Sequence, residues 1–124
     1  GLAQDSAAAV VFFENAAKAG HAEALFSLGL CLSLGHGTEA DTIRAVECYK
    51  KAAEKGNPNA IFNLGLYHYY GEGGLASNRN LAEDLFQRAA AMGHEKAAAA
   101  AASIAAEKEK AQGNEDDPFA DIQL

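Results

Sequence analysis

The sequence predicts an all-α fold, an α-solenoid of stacked antiparallel helix pairs with about three incomplete units. Two observations support this prediction. First, the segment 52–65 recurs upstream at residues 16–29 with a shift of 36 residues, and its first part recurs at residues 89–97 with a shift of 37 residues. Second, apolar side chains between the copies recur every three to four positions, which is the spacing of one helix face. A period of this length is typical of a two-helix unit that stacks on its neighbours.

The repeat extends through most of the chain. Its glycine pairs recur too, because Gly35 and Gly37 return as Gly71 and Gly73. The second shift, of 37 residues, is one residue longer than the first. The additional residue falls in the loop after Gly73, where an insertion disturbs no packed helix face. The other corresponding positions are Ala9, Ala45 and Ala82; Phe13, Tyr49 and Phe86; Gly20, Gly56 and Gly93; and Ala24, Ala60 and Ala97.

The middle copy contains Leu64-Gly65, Gly71-x-Gly73 and Ala82…Phe86…Ala89-Ala90…Gly93. In this order and spacing, the residues resemble the Sel1-like repeat family, relatives of the tetratricopeptide repeats, over about residues 7–106. Leu32 and His68 stand where the family usually has an aromatic residue. The resemblance implies a helical adaptor or scaffold that binds a peptide or a partner protein, and it does not identify the partner.

Length and charge limit the possible functions. The 124 residues fit a single domain, and we assign residues 1–112 to the repeat domain and residues 113–124 to an acidic tail. The formal net charge of −7 argues against nucleic acid and anionic membrane surfaces as partners. Both are bound mainly through clustered Lys and Arg. No apolar run approaches the roughly 20 residues of a membrane span, so we expect no membrane insertion.

The two cysteines, Cys31 and Cys48, match no metal-ligand or redox spacing. We therefore expect two free, packed thiols, since a free cysteine behaves as a small buried hydrophobic residue. This favours a reducing compartment such as the cytoplasm. The sequence predicts no metal site and no cofactor.

The first helix should run to about Ala19, with a cap at Asp5 or Ser6. It corresponds to the second helix of an incomplete unit. Gly20 ends it, because glycine adopts the left-handed conformation without a steric penalty. Its packed face should consist of Ala9, Val10, Phe13, Ala16 and Ala17.

The next helix, about residues 22–34, has two stripes of side chains. One stripe packs on the paired helix, and Gly29 within it lets that helix approach closely. By the resemblance, the first helix of each unit lines a concave surface, so the other stripe should face a groove. The packing stripe is Leu25, Leu28, Gly29 and Leu32, and the groove stripe is Phe26, Leu30 and Ser33.

A helix over about residues 40–55, capped by Asp41 or Thr42, should precede one over about residues 58–70. Pro58 lies just inside the start of the latter, where its missing N–H costs nothing. The inward residues of the former are Ile43, Val46, Tyr49, Ala52 and Ala53. The packing stripe of the latter is Ile61, Leu64, Gly65 and His68, and its groove stripe is Phe62, Leu66, Tyr69 and Tyr70.

Two further helices should follow. Asn78 can cap one that runs to about Met92, and the last begins near Glu95 with a run of six alanines. The chain should leave the solenoid at Gly113. The inward residues of the fifth helix are Leu81, Ala82, Leu85, Phe86, Ala89 and Ala90. In the tail, Phe119, Ile122 and Leu124 are expected to dock into the groove or an exposed end of the same or a neighbouring copy.

Signs of catalysis are few. The Gly-x-Gly pairs follow helices and lack the Lys-Ser/Thr of a phosphate-binding loop, so we interpret them as structural. His21 and His94 are repeat equivalents at helix starts, and no serine or cysteine lies in a nucleophile motif. His68 occupies a packing position and is expected to be a core histidine. An enzyme that uses His68 or His36 with a carboxylate is the less favoured alternative.

We therefore expect a non-catalytic interaction module that binds a peptide or partner protein along its concave face. Tyrosine and phenylalanine are favoured anchors because they bury a large surface. For Phe26 and Phe62, filling space between the units is an equally good interpretation. A second possible function is self-assembly, in which incomplete units at both ends stack on other copies. The expected contact residues are Phe26, Leu30, Ser33, Phe62, Leu66, Tyr69 and Tyr70.

Overall fold

The computed structural model describes residues 2–115, and it describes side chains over residues 5–111. This part of the chain forms six α-helices and no strand, and each helix packs against the next. The predicted all-α solenoid is therefore confirmed. The tail residues Phe119, Ile122 and Leu124 lie outside the described residues. The helices are α1 (Leu2–Lys18), α2 (Ala22–Leu34), α3 (Thr42–Glu54), α4 (Pro58–Tyr70), α5 (Arg79–Ala91) and α6 (Glu95–Glu115).

Side-chain caps fix where the inner helices begin. The Asp41 carboxylate accepts a hydrogen bond from the backbone N–H of Arg44 at 3.1 Å. The Asn57 and Asn78 side chains make the equivalent bonds at the starts of α4 and α5, both at 3.0 Å. At α6 the acceptor is Nδ1 of His94. Each cap satisfies one of the N–H groups that a helix start leaves without a partner.

Three sequence expectations about α1, α3 and α5 are wrong. Helix α1 begins at Leu2, and Asp5 lies in its first turn, where a negative charge interacts favourably with the helix dipole. Ile43 and Leu81 are 61% and 38% exposed, so they do not belong to the core. Both lie in the first turn of their helices. Near Ile43, the loop glycine Gly73 packs on Val46, which is 3% exposed.

The core forms along the predicted packing stripes of α2 and α4, in which only His68 is partly buried. In α2, Leu25, Leu28 and Leu32 are at most 6% exposed. The glycines of these stripes are covered by aromatic rings of the paired helix. A Cβ atom added at Gly29 would lie 2.5 Å from Cε1 of Tyr49, and one added at Gly65 would lie 2.5 Å from Cε1 of Phe86. The glycine therefore makes room for a ring, and the contact recurs in both complete units.

The Gly-x-Gly loops have two structural roles. The first glycine of each, Gly35 or Gly71, ends α2 or α4 in the left-handed conformation and donates its N–H to a carbonyl of the last turn. The second glycine packs on the helix before the unit. A Cβ atom at Gly37 would collide with the backbone of Ser6 in α1, and one at Gly73 would lie 2.5 Å from Cγ2 of Val46 in α3. Each loop thus joins the two helices of its own unit and packs that unit against the preceding helix.

Helix α6 packs against α5, and small side chains make up much of the contact. Ala97 is fully buried and Ile104 is 3% exposed, whereas most of the alanines between them lie at the surface. Alanine has a high helix propensity but buries little area, so each alanine contributes little to this packing. Among the described helices, none combines the length and apolar character that a membrane crossing requires.

Cys31 and Cys48 are free and partly buried. Burial raises the pKa of both thiols above the ordinary value, and in Cys48 the nearby Arg44 and Lys51 oppose this shift only in part. A raised pKa means less thiolate at any pH below it, and the thiolate is the reactive form.

We expect thiol counting in denaturant without reductant to find two thiols. In the folded protein at pH 8, both should react with iodoacetamide more slowly than a cysteine in an unstructured peptide, and the rate should keep rising at pH values where that of the peptide has levelled. A count of zero would show a disulfide. Labelling as fast as in the peptide would show that burial does not protect the thiols.

Candidate binding site

Two adjoining cavities lie beside the groove stripes of α2 and α4. The central cavity has a volume of about 270 Å³. It is lined by Leu30, Ser33, Tyr49, Asn63, Leu66, Tyr67, Tyr70 and Glu72. The second cavity, of about 170 Å³, is lined by Leu66, Tyr69, Tyr70, Phe86, Ala100, Ser103, Ile104 and Glu107. Because Leu66 and Tyr70 line both, the cavities form one continuous surface, which we call the groove.

The groove brings together five of the seven predicted contact residues, namely Leu30, Ser33, Leu66, Tyr69 and Tyr70. The other two line neither cavity. The Phe26 ring packs at 5.8 Å from the ring of Tyr49. The Phe62 ring packs at 5.6 Å from Phe86 and stacks on His94 at 4.6 Å. These contacts favour the space-filling interpretation of the two phenylalanines.

A buried hydroxyl network forms the floor of the central cavity. The hydroxyls of Tyr49 and Ser33 are 3.3 Å apart, and Ser33 also donates to the backbone carbonyl of Leu30 at 3.1 Å. Burial raises the pKa of Tyr49, and its side-chain hydrogen bonds with Ser33 and Asn63 oppose this shift only in part. The phenol therefore stays protonated at neutral pH. The ring of Tyr67 packs at 5.8 Å from that of Tyr49 and extends the floor toward α4.

Tyr69 is held in place, whereas Tyr70 is free to contact a ligand. The Tyr69 hydroxyl donates to Glu107 at 3.3 Å, and Arg79 bridges to the other oxygen of that carboxylate, also at 3.3 Å. The Arg79 guanidinium lies 5.2 Å from the centre of the Tyr69 ring, within range of a cation–π contact. Tyr70 meets the Tyr69 ring edge-on and is 64% exposed. Tyr70 is thus the large apolar side chain that the groove presents to solvent.

In the central cavity, sequence reasoning missed Tyr49, Asn63, Tyr67 and Glu72 as lining residues. A signal for two of them was present, because Asn63, Tyr67 and Tyr70 follow one another at spacings of four and three residues and so share a helix face. The sequence pattern predicts Tyr49 in the packed interior. Its ring is indeed 1% exposed, but its hydroxyl end reaches the cavity floor.

The histidines considered for catalysis do not line the groove. His36 is exposed in the loop after α2. His68 is partly buried, and its Nδ1 atom has no hydrogen-bond partner among the described residues. A buried polar atom without a partner costs about 1–3 kcal/mol. Among the described residues, no group of three or more His, Cys, Asp or Glu side chains has the arrangement of a metal site.

Replacing His68 with leucine should stabilise the protein by about 1 kcal/mol, because it removes the cost of the unpaired Nδ1 atom. The repeat supports this substitution, since Leu32 occupies the corresponding position in α2 at 1% exposure. Urea denaturation monitored by circular dichroism measures the change. His36→Leu is the matched control and should alter stability by no more than about 0.5 kcal/mol. A loss of stability in His68→Leu would show that Nδ1 has a partner.

Comparison with known proteins identifies the repeat. The Sel1 repeat profile matches the chain three times in succession, at residues 1–21, 22–57 and 58–94. A Sel1 repeat protein from Oxalobacter formigenes has a similar structure, with a TM-score of 0.72 and 33% sequence identity over 76% of this chain and 70% of that one. A comparison with curated protein sequences gave no match.

Two further solved structures share the fold. One is a protective antigen of uropathogenic Escherichia coli, described as an SLR fold, with a TM-score of 0.70 and 26% identity over 73% of this chain. The present chain spans 19% of the length of that antigen. The other is cysteine rich protein B of Helicobacter pylori, with a TM-score of 0.68 and 23% identity, covering 73% of this chain and 67% of that one. At this identity the second likeness shows the fold alone.

Proposed function

Because the chain belongs to the Sel1 repeat family, whose members are generally protein-interaction modules, we propose that it binds a peptide segment of a partner protein in the groove. In this proposal the module acts as an adaptor or scaffold and catalyses no reaction. The supporting observation is the exposed Tyr70 at the junction of the two cavities. Aromatic side chains that cover a pocket are typical binding hot spots.

The groove also indicates which side chains the ligand carries. Leu30, Leu66 and Tyr67 give the central cavity an apolar wall, which fits one aliphatic or aromatic side chain. Glu72 lies at its edge and is exposed. The formal charge of the whole chain is −7. A peptide with a large apolar residue close to a Lys or Arg would therefore complement the groove in both shape and charge.

Selection from a random peptide library tests this function. Peptides that bind the wild-type protein should combine an apolar residue with a nearby basic one. Tyr70→Ala should weaken their binding by about tenfold or more, because truncating a hot-spot residue commonly costs 2 kcal/mol or more.

Met92→Ala is the control, because Met92 is 49% exposed and lies outside the groove. Both variants should keep their stability within about 0.5 kcal/mol of the wild type. Equal binding by Tyr70→Ala and Met92→Ala would contradict the groove as the binding site. Loss of folding in Tyr70→Ala would show that this ring belongs to the core.

A further inference from the structure

A cavity of about 520 Å³, which we call the charged cavity, lies between α1 and α3 over the packing stripe of α2. Leu25 and Leu28 of that stripe form its floor. It shares no lining residue with the groove, so it is independent of the proposed function. Its walls carry four cations and three carboxylates, which belong to Lys18, Arg44, Lys51 and Lys55 and to Glu14, Glu47 and Glu54.

The charged cavity differs in sign from the rest of the molecule. Its lining has a net charge of +1, whereas the whole chain has −7 and everything outside the cavity therefore has −8. The field at Cys48, which also lines the cavity, agrees with this count. Burial raises the pKa of the Cys48 thiol, and Arg44 and Lys51 together lower it by more than Glu47 raises it. Within the described part of the chain, none of the seven charged groups forms an ion pair, so they are available to a ligand.

The third unit is built differently at the corresponding positions. At the shift of 37 residues, Cys48 corresponds to Leu85, which is 7% exposed and belongs to the core. The larger leucine fills space that the cysteine leaves open. Two charged residues of the cavity also have apolar equivalents. These pairs are Arg44 with Leu81 and Lys55 with Met92. The repeat therefore does not require the charged cavity, and the second unit has it because of its own residues.

We propose that the charged cavity binds the acidic segment of residues 113–124 from a second copy of this chain. The segment contains four Asp and Glu residues and no Lys or Arg. Its carboxylates complement the cations of the cavity walls, and the apolar side chains of Phe119 and Ile122 suit the leucine floor. The groove is a poorer site for this segment, because Glu72 and Glu107 line it.

The reach of the chain assigns the segment to a second copy. Asp116 and Asp117 follow the end of α6 by one and two residues, which span at most about 7 Å. Packed helices lie about 8–10 Å apart, and α4 and α5 separate α6 from the helices that line the cavity. These two carboxylates therefore cannot reach the charged cavity of their own chain.

A labelled peptide with the sequence of residues 113–124 is the probe, and fluorescence anisotropy measures its binding to the full chain at low ionic strength. Binding should weaken as salt is added, because salt screens exposed charges. The peptide with Asp116→Asn, Asp117→Asn and Asp121→Asn should bind about tenfold more weakly, the combined size of three surface ion pairs. Equal binding by the two peptides would overturn the proposal.

The variants of the protein take their new residues from the third unit, where the repeat accepts them. Cys48→Leu should fill the cavity, and the double variant Arg44→Leu with Lys55→Met should remove two of its charges. Each protein should bind the peptide about three- to tenfold more weakly. Lys50→Met is the matched control, because it removes a charge from an exposed position of α3 outside the cavity and should bind normally. Full binding by both cavity variants, or equal weakening in the control, would contradict the site.

The two cysteines give a readout that does not depend on a substitution. Cys48 lines the charged cavity and Cys31 does not. The peptide should therefore slow the reaction of Cys48 with iodoacetamide and leave that of Cys31 unchanged. Tyr70→Ala, a change in the groove, should not alter this protection, so the two proposals can fail separately. Equal rates at Cys48 with and without bound peptide would show that the peptide binds elsewhere.

Sedimentation of the full chain over a range of concentrations tests the second copy. At low salt the sedimentation coefficient should rise with concentration. The chain with Asp116→Asn, Asp117→Asn and Asp121→Asn should remain monomeric, since it lacks the carboxylates that pair with the cavity. A wild-type chain that stays monomeric at every concentration, although it binds the peptide, would rule out a second copy as the occupant.

Discussion

Replacing Gly65 with leucine should strongly destabilise the protein. A single Cβ atom at this position would lie 2.5 Å from Cε1 and 2.7 Å from Cδ1 of Phe86, and leucine adds three further carbon atoms. Phe86 is 2% exposed and cannot move aside without displacing the core. Overpacking a core commonly costs 1–3 kcal/mol and sometimes more, and here we expect about 3 kcal/mol or more. This is a large part of the roughly 5–15 kcal/mol that stabilises a domain.

Thermal unfolding followed by circular dichroism measures this effect. Asn59→Leu is the control, because it introduces the same side chain at an exposed position of α4. The double variant with Phe86→Leu should recover part of the loss, since the shorter side chain frees the space in question. An unchanged melting temperature in Gly65→Leu would mean that α4 and α5 do not approach each other at this glycine.

The second large effect is expected at Gly73, with Gly74 as an internal control. Both glycines have a left-handed backbone, with φ of +62° and +80°. Alanine at either position should therefore cost about 1–2 kcal/mol in conformational energy. At Gly73 the added Cβ atom would also lie 2.5 Å from Cγ2 of Val46 and 3.2 Å from the backbone oxygen of Thr42. At Gly74 its nearest contact would be Ile43 at 3.7 Å, an ordinary distance.

Gly73→Ala should consequently lose about 1–3 kcal/mol more than Gly74→Ala, the usual cost of overpacking. Val46 is β-branched and 3% exposed, so it has little freedom to move. Chemical denaturation of the two variants gives the difference directly. If they lose the same stability, the backbone conformation accounts for the whole effect, and Gly73 is not a point of close contact between units.

The predicted bounds of α2 and α4, about residues 22–34 and 58–70, agree with the structure, and local signals account for three of the four helix ends. Pro58 marks one start, and glycines in the left-handed conformation mark both ends. The start of α1 could not be predicted in this way. Asp5 has the chemistry of a cap, but it is equally suitable in a first turn, and the sequence does not distinguish the two positions.

The groove was predictable only in part. Leu66 and Tyr70 were found because they share a helix face. Tyr49 could not be predicted as a groove residue. A periodic pattern assigns a residue to one face of its helix, and it cannot show that the hydroxyl of a buried ring reaches a cavity. The contribution of α6 was missed for another reason. A run of alanines has no contrast between apolar and polar faces, so it does not show which side is packed.

The pairing of each glycine with its ring bears on how such a chain can grow in evolution. Gly29 and Tyr49 lie within one repeat, and so do Gly65 and Phe86. A duplication that copies one repeat therefore copies both halves of the contact together. The packing inside the new unit is therefore already complementary, and only its interfaces with the neighbouring units need adjustment. Genes for such proteins can therefore lengthen by one whole repeat at a time, because each added repeat contains both the glycine and the ring that packs on it.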